Sequence, residues 1–142
     1  MDNKLEQNKA LVKEFLLALY DLRVDDARQM MVSDCMFQIP NITMRPDTFI
    51  GEEMLNFLLM LKSALPEGFR AEFVEQTAED NRVSTMVNGF AKTCDGTDYN
   101  NRYHFLHVVE DGKIVKHYEY IDSYLAAKVM GPILKRLMSG EK

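Results

Sequence analysis

Residues 101–122, NRYHFLHVVEDGKIVKHYEYID, decide the fold of this chain. Two runs that mix apolar and polar residues flank Asp111-Gly112, the strongest hairpin signal in the sequence. A two-residue type I′ turn needs positive φ at both central positions, and Asp and Gly tolerate it. The stretch also holds all three histidines, His104, His107 and His117. It therefore predicts a β-hairpin that carries the most unusual chemistry of the chain.

Counting outward from a two-residue turn predicts which residues face each other across the hairpin. On one face the pairs are Val108–Val115, Leu106–His117, His104–Glu119 and Arg102–Ile121. On the other face they are Val109–Ile114, His107–Lys116, Phe105–Tyr118, Tyr103–Tyr120 and Asn101–Asp122. Directly opposed side chains have Cβ atoms about 4.5–5.5 Å apart, so this register predicts that His104 and Glu119 meet.

The first face is the predicted wall of a ligand pocket. It mixes ionisable and aliphatic residues, and a few polar groups in an apolar concavity are typical of a ligand site. We predict that His104 and Glu119 are the catalytic acid–base pair, because a carboxylate beside an imidazole orients the ring and stabilises imidazolium. The alternative is a buried structural hydrogen bond between them.

Further polar residues of the hairpin are predicted to bind the ligand. Arg102 could hold a carbonyl or carboxylate oxygen in bidentate fashion, unless it pairs with an acid or reaches solvent. His117 is either a second polar group of the wall or a residue of the pocket rim. Asp122 lies near the predicted pocket mouth, with a helix cap as the simpler role. His107, opposite Lys116, is predicted to be structural.

The second face is predicted to lie outside and to contact a second copy of the chain. A convex aromatic stripe on a monomer is an exposed apolar patch, which is typical of a subunit interface. We therefore expect a homodimer through four aromatic residues, Tyr103, Phe105, Tyr118 and Tyr120.

The remainder of the chain predicts helices before a sheet. Apolar residues at spacings of three and four predict helices over 5–22 and 52–65, and Tyr20 lies at the rim of the core within reach of a pocket. The segments between them predict a short helix at 27–31 capped by Asp25 or Asp26, a strand at 35–39 stopped by Pro40, and a loop over 41–50 in which Pro46 excludes helix.

From residue 69 onward the hydrophobic period changes to two, which predicts an antiparallel meander. The predicted strands are 69–79, 82–93, 101–110 and 113–126, followed by a short helix interrupted at Gly131-Pro132. Helices followed by strands indicate one α+β domain over residues 1–142, with helices on one face of a curved sheet.

Composition excludes several classes of partner. The net charge is -5 and no basic cluster is present, so we expect neither nucleic acid nor a membrane surface as partner. Cys35 and Cys94 lack metal-ligand spacing, and the histidines alternate between two faces, so no metal site is predicted. Free thiols and the polar start MDNKLEQNK predict a soluble cytoplasmic protein.

Three segments give the chain a recognisable order of elements. DLRVDDARQMMVSDCMFQIP, FIGEEMLNFLLMLK and NNRYHFLHVVEDGKIVKHYEYIDSYLAAKVMG resemble the nuclear transport factor 2-like superfamily, and within it the SnoaL-like and ketosteroid isomerase-like branch. The resemblance implies a cone-shaped, cystatin-like α+β roll, with about three helices packed on a strongly curved sheet around a pocket. It also implies a homodimer through the outer sheet face.

The resemblance argues against a standard ketosteroid isomerase. Such isomerases carry a Tyr in the first helix, an Asp at the end of the first strand and a second acid on the long hairpin. These positions fall on Phe15, Ile39 and His104, and none keeps the family residue. Phe15 and Ile39 are therefore expected to line the ligand site without catalysing. The strand 82–93 also lacks the Arg-x-Asp of limonene epoxide hydrolases.

SnoaL-like cyclases are the nearer comparison. Their strand histidine and late acid match His104 or His107 and Glu119 or Asp122. The resemblance implies a cofactor-independent isomerase, cyclase or hydratase that transfers a proton on a small, largely apolar carbonyl compound, of polyketide or steroid-like type. The second hypothesis is a non-catalytic dimer of the same fold that binds a small ligand or a protein, because one fold hosts many functions.

Overall fold

The computed structural model describes residues 3–39 and 47–140, and they form the predicted α+β class. The helices are α1 (Asn3–Tyr20), α2 (Val24–Met30), α3 (Glu52–Ala64), α4 (Ser123–Val129) and α5 (Gly131–Met138). The strands are β1 (Met31–Gln38), β2 (Thr48–Ile50), β3 (Phe69–Glu79), β4 (Arg82–Lys92), β5 (Asp98–Glu110) and β6 (Lys113–Ile121).

The six strands form one curved sheet in the order β2-β1-β6-β5-β4-β3. β3 to β6 are the predicted antiparallel meander, and β1 joins it parallel to β6. The predicted loop over 41–50 is wrong at Thr48–Ile50, which pairs with β1. Residues 41–46 of that loop, like Pro40, lie outside the described residues.

Two local predictions for the helices need correction. α2 begins at Val24 with Arg23 as its N-cap, so neither Asp25 nor Asp26 is the cap. Both acids lie instead in the first turn, where negative charge interacts favourably with the helix dipole. The predicted final strand also stops at Ile121, because Asp122 caps α4 and accepts a hydrogen bond from the Leu125 amide at 3.0 Å.

The Asp-Gly turn is confirmed, but the predicted register of the hairpin is wrong. Asp111 and Gly112 have φ values of 50° and 74°, and Val109 pairs with Ile114 as predicted. The register then shifts, since Val108 pairs with Lys116. Val115 is thus an extra residue in β6, a β-bulge. Beyond a bulge of one residue, the side chains of the bulged strand exchange faces relative to the partner strand.

The bulge decides which hairpin residues point into the fold. The concave face carries Tyr103, Phe105 and His107 of β5 beside Ile121, Glu119 and His117 of β6. The convex face carries Arg102, His104 and Leu106 beside Tyr118 and Tyr120. Tyr103 and Phe105 are buried, at 8% and 1% exposure. The prediction that they belong to an outer dimer face is therefore wrong.

α1 covers the concave face because its apolar residues recur at helical spacing. Val12, Phe15, Leu16 and Leu19 are all buried and pack with the inner residues of the sheet. A second buried cluster joins the end of α3 to α4 and α5 around Tyr99. In the described part of the chain, no helix combines the length and the apolar composition needed to cross a bilayer.

Candidate functional site

A cavity of about 130 Å³ lies between the concave face of the sheet, α1, α3 and the two C-terminal helices. Its wall is mostly aliphatic and aromatic, formed by Leu19, Leu22, Ile39, Met54, Phe57, Leu58, Leu61, Leu65, Gly68, Phe69, Ile121, Met130 and Leu134. An apolar cavity of about 150 Å³ binds benzene. The cavity therefore suits a ring of about six atoms, held by apolar contacts and a few polar ones.

The polar part of the wall consists of Tyr20, Tyr99, Tyr103, Glu119 and Lys62. Tyr20 comes from the last turn of α1 and Lys62 from α3, whereas the other three come from β5 and β6. The strand residues meet because β5 residues 99 and 103 and β6 residue 119 all point to the concave side.

Gly89 of β4 makes room for the aromatic side of the cavity. A Cβ atom at this position would lie 2.3 Å from Cζ of Phe69 and 2.8 Å from Cε1 of Tyr103. Phe69 in turn stacks on Tyr20, with ring centroids 4.5 Å apart. The absence of a side chain at position 89 therefore lets these rings pack as they do against the sheet.

Tyr20 presents a hydroxyl group whose hydrogen bonding is incomplete. Its oxygen is buried and has no hydrogen-bond partner among the described residues. Burial raises the pKa of Tyr20 well above its usual value of 10.0, and the charge of Glu119 adds to the shift. The phenol is therefore protonated at neutral pH. Buried polar atoms in proteins normally have partners, so this hydroxyl is suited to a ligand oxygen.

Tyr99 is a second hydrogen-bond donor for the cavity. Its oxygen accepts a hydrogen bond from Nδ2 of Asn101 at 3.0 Å. A hydrogen bond between Tyr103 and Tyr99 raises the pKa of Tyr103 and lowers that of Tyr99, which identifies Tyr103 as the donor. Burial is the largest cause of the raised pKa of both tyrosines. With two bonds accepted, the Tyr99 hydroxyl has its own proton left to donate.

Asn101 fixes Tyr99 in place. Its Nδ2 also donates to the carbonyl oxygen of Asp122 at 3.1 Å, and its Oδ1 accepts from the backbone amide of Asp122 at 3.1 Å. The Asn101 side chain is buried. One amide therefore connects the start of α4 with the hydroxyl of Tyr99 in β5.

Glu119 is hydrogen-bonded to a chain of two histidines behind the cavity wall. Its Oε1 lies 3.2 Å from Nε2 of His117, and Nδ1 of His117 lies 2.9 Å from Nε2 of His107. Both imidazoles are fully buried. Burial lowers the pKa of His117 to about 3, and burial with the neighbouring His117 lowers that of His107 well below 6.5. Both rings are therefore uncharged at neutral pH.

The predicted catalytic pair is not brought together. His104 pairs with Tyr120 across the hairpin and lies on the exposed convex face, with Nε2 2.6 Å from Oγ of Ser84 of β4. Arg102 lies on the same exposed face. The physical reason is the bulge at Val115, which places Glu119 opposite Phe105 on the concave face. His104 and Arg102 therefore do not line the cavity.

The other predicted ligand residues divide into three groups. Ile39 and Tyr20 line the cavity. Phe15 and His117 lie behind its wall, with ring centroids 6.3 Å apart. Asp122 has the simpler role, that of the α4 cap. Whether Ile39 contacts a ligand stays a prediction.

Tyr99, Tyr103 and Lys62 are the site residues that sequence reasoning missed. A signal for two of them was present in β5, where Tyr99, Asn101, Tyr103, Phe105, His107 and Val109 alternate with a more polar series. The more aromatic series of an amphipathic strand is the better candidate for the buried face. Within residues 3–39 and 47–140, no three His, Cys, Asp or Glu side chains are grouped as metal ligands would be.

Comparison with known proteins identifies the fold. No protein-family model matches the sequence, and no curated protein is a significant match. Many solved structures do match. Bal32a from a soil-derived mobile gene cassette is 15% identical with a TM-score of 0.79, covering 88% of this chain and 97% of its own.

Two further structures show the same architecture. PrhC from Penicillium brasilianum is 12% identical with a TM-score of 0.80, over 93% of this chain and 91% of its own. TerC, co-crystallised with polyporic acid, is 16% identical with a TM-score of 0.77, over 87% of this chain and 98% of its own. Other matches at similar scores are described as NTF2-like proteins. The chain thus has the nuclear transport factor 2-like fold, as its sequence predicts.

Proposed function

We propose that this chain, which has the nuclear transport factor 2-like fold, binds a small, largely apolar carbonyl compound and transfers a proton on it without a cofactor. The observation that carries the proposal is the Tyr20 hydroxyl, a buried donor without a partner that lines the same apolar cavity as the Glu119 carboxylate. A donor and a proton acceptor in one water-poor cavity are the two groups that enolisation requires.

The proposed reaction begins at the carbon next to the carbonyl group. Glu119 accepts a proton from that carbon, and the electron pair of the broken C–H bond moves to form an enolate. Tyr20 and Tyr99 donate hydrogen bonds to the enolate oxygen. Protonated Glu119 then returns the proton to another carbon of the conjugated system, so the product is an isomer and no co-reactant is consumed.

Burial explains why phenols suit this role. The raised pKa values of Tyr20 and Tyr99 keep both hydroxyls protonated, so each donates a hydrogen bond throughout the reaction. Hydrogen bonds to a developing negative charge are strongest where water is excluded. Loss of one such donor commonly lowers kcat by about 10²–10³.

The test is the isomerisation of 3-cyclohexenone to 2-cyclohexenone, in which the double bond moves into conjugation with the carbonyl and the ultraviolet absorbance rises. The ring is close in size to benzene and so fits the cavity. We expect turnover by the wild-type chain and a loss of at least about 10² in kcat for Glu119→Gln, the usual weight of a general base. Glu110→Gln, an exposed acid of the same hairpin, is the matched control.

Non-catalytic ligand binding is the second candidate, and the small volume of the cavity favours it. It predicts that 4-nitrophenol, a monocyclic ligand with an oxygen acceptor, binds while 3-cyclohexenone is not turned over. Wild-type turnover that Glu119→Gln removes and Glu110→Gln retains would exclude this candidate. Saturable 4-nitrophenol binding with no turnover above the buffer rate would replace the catalytic proposal by it.

We also propose that the chain forms a homodimer through the convex face, in the cytoplasm. The residues differ from those predicted, since the exposed apolar ones are Tyr120 at 58% and Met86 at 45% exposure, beside Leu106 and Tyr118. The free thiols of Cys35 and Cys94 support a reducing compartment. Sedimentation equilibrium should give twice the chain mass for wild type and the chain mass for Tyr120→Glu. A monomeric wild type would contradict the dimer.

A further inference from the structure

We infer that His117 and His107 are positioning residues for Glu119, two uncharged imidazoles that are each fixed in the Nε2–H tautomer. Together they hold the carboxylate of Glu119 at the cavity wall by a hydrogen bond that adds no positive charge. The effect on turnover rests on the proposed function, but the tautomers can be measured without it.

The first step is the absence of charge on the two rings. The His117 ring lies among Phe15, Phe37 and Phe105, with centroid distances of 6.3, 5.0 and 5.3 Å. His107 lies against Phe15 at 5.8 Å and Phe105 at 5.9 Å. Three phenyl rings cannot hydrate an imidazolium, so burial there favours the neutral form. The lowered pKa values of both histidines agree with this.

The second step assigns the protons. An ionised carboxylate can only accept, so Nε2 of His117 must carry the proton in the 3.2 Å contact with Glu119. A neutral imidazole has a single N–H, so Nδ1 of His117 is an acceptor. Nε2 of His107, 2.9 Å away, is therefore the donor of the second hydrogen bond. Nδ1 of His107 is left as a bare lone pair.

The unpartnered atom supports this assignment. Nδ1 of His107 is buried and has no partner among the described residues. If both rings were reversed, that atom would carry a buried N–H without an acceptor, and orphaned N–H groups of this kind are rare in folded proteins. An unprotonated nitrogen against phenyl rings avoids this. The chain of hydrogen bonds therefore has one favoured direction, from His107 to His117 to Glu119.

The groups that surround Glu119 do not disturb this arrangement. Tyr20 of α1 and Tyr99 and Tyr103 of β5 interact electrostatically with its charge, and all three are neutral because burial raises their pKa. α3 contributes Lys62, the only cation among the described residues that line the cavity. β1 contributes only the ring of Phe37 against His117.

The arrangement reverses the usual roles of imidazole and carboxylate. In many active sites a carboxylate orients a histidine that accepts the proton. Here two histidines orient a carboxylate. A charged imidazolium beside Glu119 would favour the ionised acid and weaken it as a base. A neutral donor fixes the direction of the carboxylate with a smaller effect on its basicity, as a proton acceptor requires.

The direct test is nuclear magnetic resonance of the chain labelled with ¹⁵N-histidine. Two-bond ¹H–¹⁵N correlations distinguish the two neutral tautomers and the imidazolium. We expect two histidines in the Nε2–H form at pH 7 and at pH 5.5, and the His104→Gln variant assigns the third set of signals by removing it. An Nδ1–H form or an imidazolium at either buried position would overturn the inference, with or without measurable turnover.

A functional test separates positioning from mere packing. His107→Leu removes the donor to His117, whereas His107→Gln retains an amide donor. For 3-cyclohexenone we expect kcat to fall about tenfold in His107→Leu with KM nearly unchanged, and to recover in His107→Gln. His104→Leu, on the convex face, should leave both constants unchanged. Equal losses in the Leu and Gln variants would show that His107 acts through packing alone.

The outcomes keep the two proposals distinguishable. Wild type without turnover, but with both buried histidines in the Nε2–H form, would reject the proposed reaction and retain the tautomers. Turnover that depends on Glu119, with His117 in the Nδ1–H form, would reject the positioning role and retain the reaction.

Discussion

The two faces of the β5–β6 hairpin carry similar residues in opposite surroundings. On the convex face His104 is exposed and lies 2.6 Å from the hydroxyl oxygen of Ser84. On the concave face His117 is buried and lies 3.2 Å from the carboxylate of Glu119. Water surrounds the first pair and phenyl rings surround the second. The difference shows that burial, set by strand register, decides whether a polar pair has perturbed chemistry.

The first way to break this comparison is to remove one large side chain from each face. Phe105→Ala, on the concave face at 1% exposure, should lower the free energy of unfolding by about 3–5 kcal/mol. Tyr120→Ala, on the convex face at 58% exposure, should lower it by less than about 1 kcal/mol. Urea unfolding followed by circular dichroism, at protein concentrations that keep the chain monomeric, measures both. Similar losses would mean that the faces are wrongly assigned.

The pH dependence of stability gives the next largest effect. In the unfolded chain a histidine binds a proton below about pH 6.5, whereas folded His117 stays neutral down to its pKa of about 3 and His107 is also lowered well below 6.5. The unfolded state therefore binds more protons in that range. Stability is retained above about pH 6.5 and falls as the pH decreases below it, by about 2 kcal/mol per histidine between pH 7 and pH 5.

The variant His107→Gln isolates this contribution, because other acids titrate equally in both proteins. Between pH 7 and pH 5, the variant should lose about 2 kcal/mol less stability than wild type. Thermal or urea unfolding at both pH values provides the comparison. An identical loss in the two proteins would show that His107 is protonated in the folded state.

The smallest effect concerns one hydroxyl group. Tyr20→Phe removes the buried donor without a partner, and we expect the Kd for 4-nitrophenol to rise about fivefold, which corresponds to about 1 kcal/mol. Tyr124→Phe, whose residue is 77% exposed on α4, should leave the Kd unchanged. Absorbance titration of the ligand measures both values. Unchanged affinity in Tyr20→Phe would remove Tyr20 from the binding site.

Much of the fold follows from the sequence because its signals are local. The Asp111-Gly112 turn, the period-two strands from residue 69 and the apolar helix at 52–64 each depend on residues close in the chain. Strand β2, by contrast, is three residues long and exists only through its pairing with β1. Its pairing partner is distant in sequence, so no local pattern predicts it.

The site was only half predictable, and the bulge at Val115 is the reason. The concave residues of β6, His117 and Glu119, were placed correctly, but their β5 neighbours His104 and Arg102 were not. A bulge depends on how β6 fits between β5 and β1, where the β1–β6 register also shifts. Val115 has no glycine-like signature, so nothing in the sequence indicates the extra residue.

The central claim is that the chemistry belongs to the concave face. The most direct test compares Glu119→Gln and His104→Gln in the isomerisation of 3-cyclohexenone, with circular dichroism to confirm that both variants are folded. We predict that Glu119→Gln lowers kcat by at least about 10² and that His104→Gln retains the wild-type rate. Loss of turnover in His104→Gln, with full activity in Glu119→Gln, would contradict the account.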